Sequence, residues 1–210
     1  MSLAGLRADY QKGELLERDV DPDPLAQFRR WFDEATSAGV VEPNAMTLAT
    51  IGDDGYPASR VVLLKGVDPR GFTFFTNYES QKGRELAARP RASLTFCWLL
   101  AQRQVCVRGD VERLPEQESS EYFATRPRGS QLGAWASDQS RPVATRDELD
   151  ARLAAVEARF AGDVPRPPHW GGYVVVPRRI ELWQGRTNRM HDRLVYTRDG
   201  NGWALSRLCP

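Results

Sequence analysis

The sequence predicts a mainly β protein with surrounding helices, built around an antiparallel barrel. Five short segments rich in β-branched and aromatic residues follow one another between residues 46 and 113, and the links between them are mostly of hairpin length. Two links carry strong turn signals, at 53–55 and 68–71. Because closely spaced strands pair antiparallel, this spacing favours a barrel or a strongly bent sheet over βαβ units. The five predicted strands are residues 46–51, 58–64, 72–76, 92–99 and 104–113.

The helices around these strands are marked by capping residues and by apolar spacing. Asp23 and Pro24 are typical of an N-cap and a first helical residue, and apolar residues then recur at helical spacing up to Ala35. Thr145 and Glu148 form a capping box that begins another helix. The remaining predicted helices are 80–88, 115–125 and a turn within 128–136, and the later predicted strands are 173–176, 179–183, 194–196 and 203–205.

The chain divides into a short N-terminal segment and one domain. Residues 1–22 are polar and irregular, which is typical of a flexible arm. We predict that residues 23–210 form a single domain, which suits the length of 210 residues.

The overall charge excludes some classes of partner. The 29 basic and 28 acidic residues leave a formal charge of +1, so neither nucleic-acid nor membrane-surface binding is expected. No apolar run approaches membrane-spanning length and no signal segment is visible, which predicts a cytoplasmic protein. Cys97, Cys106 and Cys209 lack CxxC spacing, so we expect no metal site and no disulfide framework. The first two lie in apolar runs and are predicted to be core residues.

The segment 183–193 concentrates unusual chemistry. It contains a tryptophan, three arginines and one of only two histidines in the chain. If its second half is extended, Arg189, His191 and Arg193 share one face, because side chains alternate along a strand. Such a face suits an anionic ligand, since guanidinium groups pair with phosphate or carboxylate. A basic edge strand with a solvated face is the alternative.

Three further places could bind phosphate. Arg60 and Lys65 flank an apolar strand, and their spacing of five places them on opposite faces, which would suit two anions or simply strand-end charges in solvent. Lys82 follows a hydroxyl-rich strand-to-helix junction at Thr76 and Ser80, which is either an anion site at a helix N-terminus or a solvated first turn. The third place is a helix end where Tyr122 and Arg126 share a face and Ser130 follows, and its alternative is an ordinary exposed terminus.

Four sequence blocks together resemble the pyridoxamine 5′-phosphate oxidase family. They are residues 60–65, 126–135 with 139–140, 170–172 and 183–193, in the order of the family, and the resemblance extends from about residue 7 to residue 210. It implies an FMN-binding split barrel that forms a homodimer with FMN between the subunits. It also implies oxidation of pyridoxamine 5′-phosphate and pyridoxine 5′-phosphate to pyridoxal 5′-phosphate, with O2 consumed and H2O2 released.

The resemblance also assigns roles to individual residues. Arg189 and His191 are implied as catalytic residues over the pyridine ring. The residues implied to bind substrate, besides these two, are Arg7 and Tyr10 of the arm, which would act as a lid, and Lys65, Tyr122, Arg126 and Ser130 around the phosphate. The residues implied to bind FMN are Arg60, Val61, Val62, Leu63, Leu64, Lys65, Phe75, Thr76, Gln81, Lys82, Gln104, Gln139, Ser140, Trp183 and Arg193.

Some positions depart from the family pattern, and two other functions stay open. Gln81 stands where arginine is frequent, which removes one charge from the FMN phosphate site, while Phe75 and Glu42 are milder changes.

A flavin or deazaflavin reductase would share the barrel but should lack the pair Arg189 and His191. A non-catalytic pyridoxal 5′-phosphate carrier would need the phosphate anchors but not the FMN set.

Overall fold

A single antiparallel sheet organises the chain in the computed structural model, which describes residues 1, 3, 5 and 9–210. Arg7, predicted to contact substrate, lies outside the described residues. The helices are α1 (Pro24–Ser37), α2 (Gln81–Ala88), α3 (Glu116–Ala124), α4 (Arg128–Ala136) and α5 (Arg146–Arg159). The strands are β1 (Ala45–Ile51), β2 (Pro57–Leu63), β3 (Gly66–Asp68), β4 (Gly71–Asn77), β5 (Arg91–Trp98), β6 (Arg103–Arg113), β7 (Trp170–Gln184), β8 (Asp192–Asp199) and β9 (Gly202–Leu208).

The 15-residue strand β7 lies at the centre of this sheet. The strand order is β2-β1-β5-β6-β7-β4-β3, and β8 also pairs with β7 and carries β9 on its other side. Strand β6 runs along nearly all of β7, whereas β4 pairs with its first half and β8 with its second half. The mainly β, antiparallel prediction is therefore confirmed.

Strand β7 is longer than the sequence predicted. We expected two strands, 173–176 and 179–183, which leave out Pro177, a residue with no N–H to donate. The consecutive β6 residues Arg108 and Gly109 pair with Arg179 and Pro177, so Arg178 is an extra residue of β7 and forms a bulge beside Pro177. A bulge is a position at which a strand tolerates proline, so the ladder continues past it.

Aromatic side chains fill the space between α1 and the sheet. Phe28 of α1 is 1% exposed and lies 4.9 Å, centroid to centroid, from both Phe72 and Phe96. Its helix begins as predicted, since the Asp23 side chain accepts a hydrogen bond from Leu25 N. The prediction of Cys97 as a core residue is wrong: its neighbours Phe96 and Trp98 point inward, so strand alternation exposes the thiol.

The segment before α1 lies against the domain. Leu15 is 4% exposed, and the Tyr196 hydroxyl donates to the Asp21 carbonyl at 2.6 Å. The part of this arm from Asp9 onward therefore has a defined path over the sheet. No helix among residues 9–210 is long and apolar enough to cross a membrane.

The bulge in β7 gives a test of the fold, because Gly109 of β6 lies opposite it. A methyl group at Gly109 would lie 2.2 Å from the Val176 carbonyl oxygen, which is backbone and cannot move aside. We expect Gly109→Ala to lower the free energy of unfolding by about 2 kcal/mol, as overpacking does. Chemical denaturation measures this change.

The matched control is Gly133→Ala in α4, where a methyl group would meet nothing within 4 Å. Because alanine favours helix, this variant should be neutral or stabilised by up to about 1 kcal/mol. Equal effects of the two substitutions would contradict the account of the bulge.

Candidate active site

A polar cavity of about 630 Å³ opens beside β2, β4 and the ends of α2 and α3. It collects most of the predicted phosphate-binding residues from three separate parts of the sequence. Its lining consists of Arg60, Val61, Val62, Leu63, Lys65, Phe75, Thr76, Lys82, Tyr122, Thr125, Arg126, Pro127, Ser130, Gln139 and Trp170.

Arg60 and Lys65 line this same cavity, so the prediction that they face opposite sides is wrong. The alternation argument assumed a regular strand through both residues. Strand β2 ends at Leu63, and the chain turns there, with Lys65 N donating to Thr73 O at 2.8 Å. The turn redirects Lys65, and two cations meet in one cavity.

The N-terminus of α2 supplies another cation. Lys82 Nζ lies 2.8 Å from Gln139 Oε1 and 3.3 Å from Thr76 Oγ1. Burial, and then the charge of Arg60, lower the pKa of Lys82 to about 8. Two neighbouring cations in a partly buried site are unfavourable alone, and an anion offsets that repulsion.

Glu85 holds the guanidinium of Arg60. Its Oε2 lies 3.0 Å from Arg60 Nη2, and the Thr50 hydroxyl donates to the same oxygen at 2.5 Å. Burial favours a higher pKa for Glu85, but hydrogen bonds from Thr50, Gln81 and Arg60 outweigh it and lower the pKa. Gln81 donates to Glu85 Oε1 at 2.8 Å and lines a separate cavity with Gly52.

A stack of three aromatic rings forms the wall next to Arg126. The Phe75 and Tyr122 rings lie 3.9 Å apart at 15°, and Trp170 continues the stack nearly parallel to both. The Arg126 guanidinium lies over Trp170, 4.6 Å from the ring centroid. Trp170 was not predicted to be a site residue, although it opens one of the sequence blocks that carry the family resemblance.

Arg126 has an unsatisfied donor. Its Nη1 is buried and has no hydrogen-bond partner among the described residues. Burial lowers the pKa of this guanidinium below its ordinary value, which indicates a cation without a counter-ion. Buried charges are normally paired, so this orphaned nitrogen fits an anionic ligand in the cavity.

A second group of predicted residues lies at the other end of β7. Gln104 and Arg193 are the strand neighbours of Trp183 on its two sides. The His191 ring lies 4.6 Å from Trp183, and the Tyr10 ring lies 5.8 Å from both. None of these five residues lines the 630 Å³ cavity.

The segment 183–193 is extended only in part. Strand β8 begins at Asp192, and Asn188 and Arg189 adopt φ values of 55° and 61° in a tight turn. Left-handed backbone is uncommon for residues other than glycine. The sequence suggested that Arg189 shares a strand face with His191 and Arg193. The exposed Arg189 lies in this turn instead and does not share such a face. Arg193 is paired, with its Nη2 2.7 Å from Glu181 Oε1.

Two other predicted FMN contacts lie away from the cavity lining. Leu64 is 7% exposed and belongs to the hydrophobic core. Ser140 is exposed and follows Gln139 with a φ of 69°. Their assignment, like that of Gln81, stays a prediction.

Comparison with known proteins places the chain in a family. Residues 32–160 match the family described as pyridoxamine 5′-phosphate oxidase. Residues 170–210 match the pyridoxine 5′-phosphate oxidase C-terminal dimerisation region. The chain belongs to the pyridoxamine 5′-phosphate oxidase family.

Relatives of high identity extend over the whole chain. A pyridoxine/pyridoxamine 5′-phosphate oxidase of Burkholderia multivorans is 58% identical over 100% of this chain and 99% of its own length. One of Rubrobacter xylanophilus is 60% identical, covering 99% of this chain and 96% of its own. Family membership supports an oxidoreductase with FMN as its cofactor, and the matched dimerisation region supports a homodimer.

Two solved structures share the fold. PhzG from Burkholderia lata 383, in complex with tetrahydrophenazine-1-carboxylic acid, has a TM-score of 0.89 and 34% identity, covering 95% of this chain and 100% of its own. An FMN-binding protein from Nostoc punctiforme related to pyridoxamine 5′-phosphate oxidase has a TM-score of 0.70 and 15% identity, covering 87% and 97%. The predicted split barrel is confirmed.

The depressed pKa of Lys82 gives a test of the cavity that needs no ligand. The folded pKa of about 8 lies below the ordinary 10.5, so between these values the unfolded chain binds more protons and the Lys82 contribution to stability rises with pH. We expect Lys82→Met to be more stable than wild type below pH 8, without FMN, and this advantage to shrink towards pH 10.5.

Denaturant titrations of both proteins across this pH range measure the difference. An advantage that stays constant between pH 8 and 10.5 would contradict a buried, destabilised ammonium group at Lys82.

Proposed function

We propose that this chain is a homodimeric FMN-dependent oxidase that converts pyridoxamine 5′-phosphate and pyridoxine 5′-phosphate to pyridoxal 5′-phosphate. O2 is the final electron acceptor and H2O2 the second product. The proposal rests on the family membership, the high identity to named relatives and the cationic cavity. A cytoplasmic location stays a prediction from the sequence.

The homodimeric part of this proposal is supported by the division of the candidate residues into two groups at opposite ends of β7. Trp170 of the cavity and Trp183 of the second group are thirteen residues apart, which corresponds to roughly 40 Å along the strand at about 3.3 Å per residue. The two groups of one chain are therefore too far apart along the strand to contact the same ligand easily. A second copy, related by two-fold symmetry, can place its second group against this cavity.

The cavity has room and charge for two phosphates. We infer that Arg60 and Lys82 bind the phosphate of FMN, with Thr76 and Gln139 beside them. Gln104, Trp183 and Arg193 of the other subunit would complete that FMN site. Arg126, with its unsatisfied Nη1, is the best candidate for the substrate phosphate, together with Lys65, Tyr122 and Ser130.

Phosphate anchoring contributes to catalysis by position. A substrate held at its phosphate has its ring fixed, which removes part of the entropic barrier. Arg189 and His191 of the other subunit would then cover the ring, with Arg189 orienting the C4′ substituent. Tyr10, which packs on Trp183 and His191, would act as a lid that excludes water.

The redox balance is simple. FMN, when bound, supplies the two-electron acceptor that no side chain of this protein can provide. The substrate loses a hydride from C4′ and a proton from the attached oxygen or nitrogen. These amount to two electrons and two protons, which reduce O2 to H2O2. For the amine substrate, water then hydrolyses the resulting imine and ammonia is released.

A second candidate function follows from the likeness to PhzG, whose solved complex holds tetrahydrophenazine-1-carboxylic acid. That ligand carries a carboxylate and no phosphate. The unsatisfied Arg126 shares the cavity lining with Lys65, Tyr122 and Ser130, a set of donors that suits a phosphate on the substrate. The identity of 58–60% to the named oxidases, against 34% to PhzG, favours the same choice.

The colour of the protein tests this function. Purified protein should be yellow, and anaerobic addition of pyridoxamine 5′-phosphate should bleach it, because the substrate reduces the bound flavin. Bleaching by tetrahydrophenazine-1-carboxylic acid alone would favour the PhzG reaction. A yellow protein bleached by neither compound would favour a reductase, and a colourless protein that binds pyridoxal 5′-phosphate would favour a carrier.

Mixed dimers test whether the two groups of residues come from different subunits. We expect Arg126→Ala to raise KM, through the lost phosphate anchor, and Arg189→Ala to lower kcat with FMN still bound. At substrate concentrations below KM, dimers formed from the two variants together should recover about a quarter of wild-type activity, since half are mixed and each holds one intact site.

The control is each variant refolded with itself, which should stay near its own low activity. If mixing gives no more than the average of the two single variants, both groups act within one subunit and the shared site is wrong.

A further inference from the structure

The hydrogen bond that His191 receives fixes which of its ring nitrogens carries the proton. The backbone N–H of Arg186 lies 3.1 Å from His191 Nδ1. A backbone N–H can only donate, so Nδ1 accepts and has no proton. An imidazolium has no acceptor nitrogen, so in this geometry the ring is neutral and its proton is on Nε2.

The ring itself is held by its neighbours. Trp183 lies 4.6 Å from it at 45°, and Tyr10 lies 5.8 Å away at 59°. Gly185 allows this packing, because a methyl group there would lie 2.7 Å from the Tyr10 ring. With Nδ1 bound to the backbone, Nε2–H is the polar group that the ring can offer to a ligand.

Asp192 holds the residue that makes this bond. Its Oδ2 lies 3.1 Å from Arg186 Nη1 and accepts from Leu15 N at 3.0 Å, and its Oδ1 lies 2.7 Å from Arg207 Nη1. The carboxylate is 14% exposed, whereas the other partner of Arg186, Glu14, is 60% exposed. A largely buried carboxylate with three donors is the firmer anchor, since exposed ion pairs contribute little.

We propose that His191 acts as a neutral hydrogen-bond donor through Nε2, and that Asp192 is the positioning residue that maintains this state through Arg186. The proposal rests on the proposed function for its ligand, which is an oxygen acceptor on the ring of the substrate. It assigns His191 no role as a base, because Nε2 already carries a proton and Nδ1 is engaged. Asp192 acts on His191 through Arg186.

A purely structural role for Asp192 is the competing explanation. The carboxylate also fixes the N-terminal segment through Leu15 and Arg207, and that contact alone could explain its burial. Glu17 separates the two explanations. It belongs to the N-terminal segment and binds Arg207 at 2.8 Å, but it does not touch Arg186. Glu17→Gln is therefore the matched control for Asp192→Asn.

The test is the tautomer of His191, read from long-range 1H–15N correlation spectra of the FMN-loaded protein labelled at histidine. The chain has only two histidines, so the signals that His191→Gln removes belong to His191. We expect an unprotonated Nδ1 and a protonated Nε2 in wild type and in Glu17→Gln. In Asp192→Asn and in Arg186→Ala both tautomers should be populated, so the signals of the two ring nitrogens should move towards an average.

Kinetics give a second readout. If one neutral hydrogen bond to the substrate is weakened, kcat/KM should fall about tenfold in Asp192→Asn and Arg186→Ala and stay near wild type in Glu17→Gln. A wild-type ring protonated on Nδ1, or on both nitrogens, would overturn the proposal. So would an equal loss in Glu17→Gln and Asp192→Asn.

The spectrum separates this proposal from the proposed function. A protein that never oxidises pyridoxamine 5′-phosphate would refute the function while the tautomer could still be read. An active oxidase with the reverse tautomer would refute the role of His191 alone. Should Asp192→Asn fail to fold, Arg186→Ala, whose side chain is partly exposed, decides the question.

Discussion

The pairing of β7 is the constraint on which the rest of the structure depends. Fifteen residues form one continuous strand, with β6 along nearly all of it, β4 along its first half and β8 along its second. The strand continues past Pro177 through a bulge at Arg178, its extra residue relative to β6. Once this strand is continuous, Trp170 and Trp183 must lie far apart, and every candidate residue attached to either end is separated with them. The two-part site is thus a consequence of strand geometry.

The two ends differ in electrostatics. At the cavity end, Lys82 and Arg126 are partly buried cations whose pKa values are lowered by burial, and Arg60 is paired with Glu85. At the other end, Arg193 already has Glu181 as its partner. A ligand with phosphate groups therefore gains most at the cavity, where it supplies missing negative charge. The far end offers rings and hydrogen-bond donors, which suit the planar parts of a ligand.

Much of the fold and part of the site followed from local patterns. Hairpin spacing gave the antiparallel sheet, and Asp23 with Pro24 gave the start of α1, because these signals act within a few residues. The common location of Arg60 and Lys65 did not follow, since it depends on where β2 stops and the chain turns. Trp170 was missed because its role depends on stacking against Phe75 and Tyr122, which are distant in sequence. Both features depend on tertiary packing, which local sequence patterns do not report.

The turn at Asn188 and Arg189 shows how the far end is kept ready for a ligand. Two successive residues with positive φ are strained, at a cost of order 1–3 kcal/mol each, and such strain persists only where surrounding contacts determine the backbone. Here those contacts lie on both flanks of the turn: Arg186 is bound to Asp192, and His191 accepts from the Arg186 amide. The hydrogen bond that sets the tautomer of His191 therefore also closes the turn that projects Arg189 outward. The orientation of Arg189 and the protonation of His191 come from the same hydrogen bond across the base of the turn.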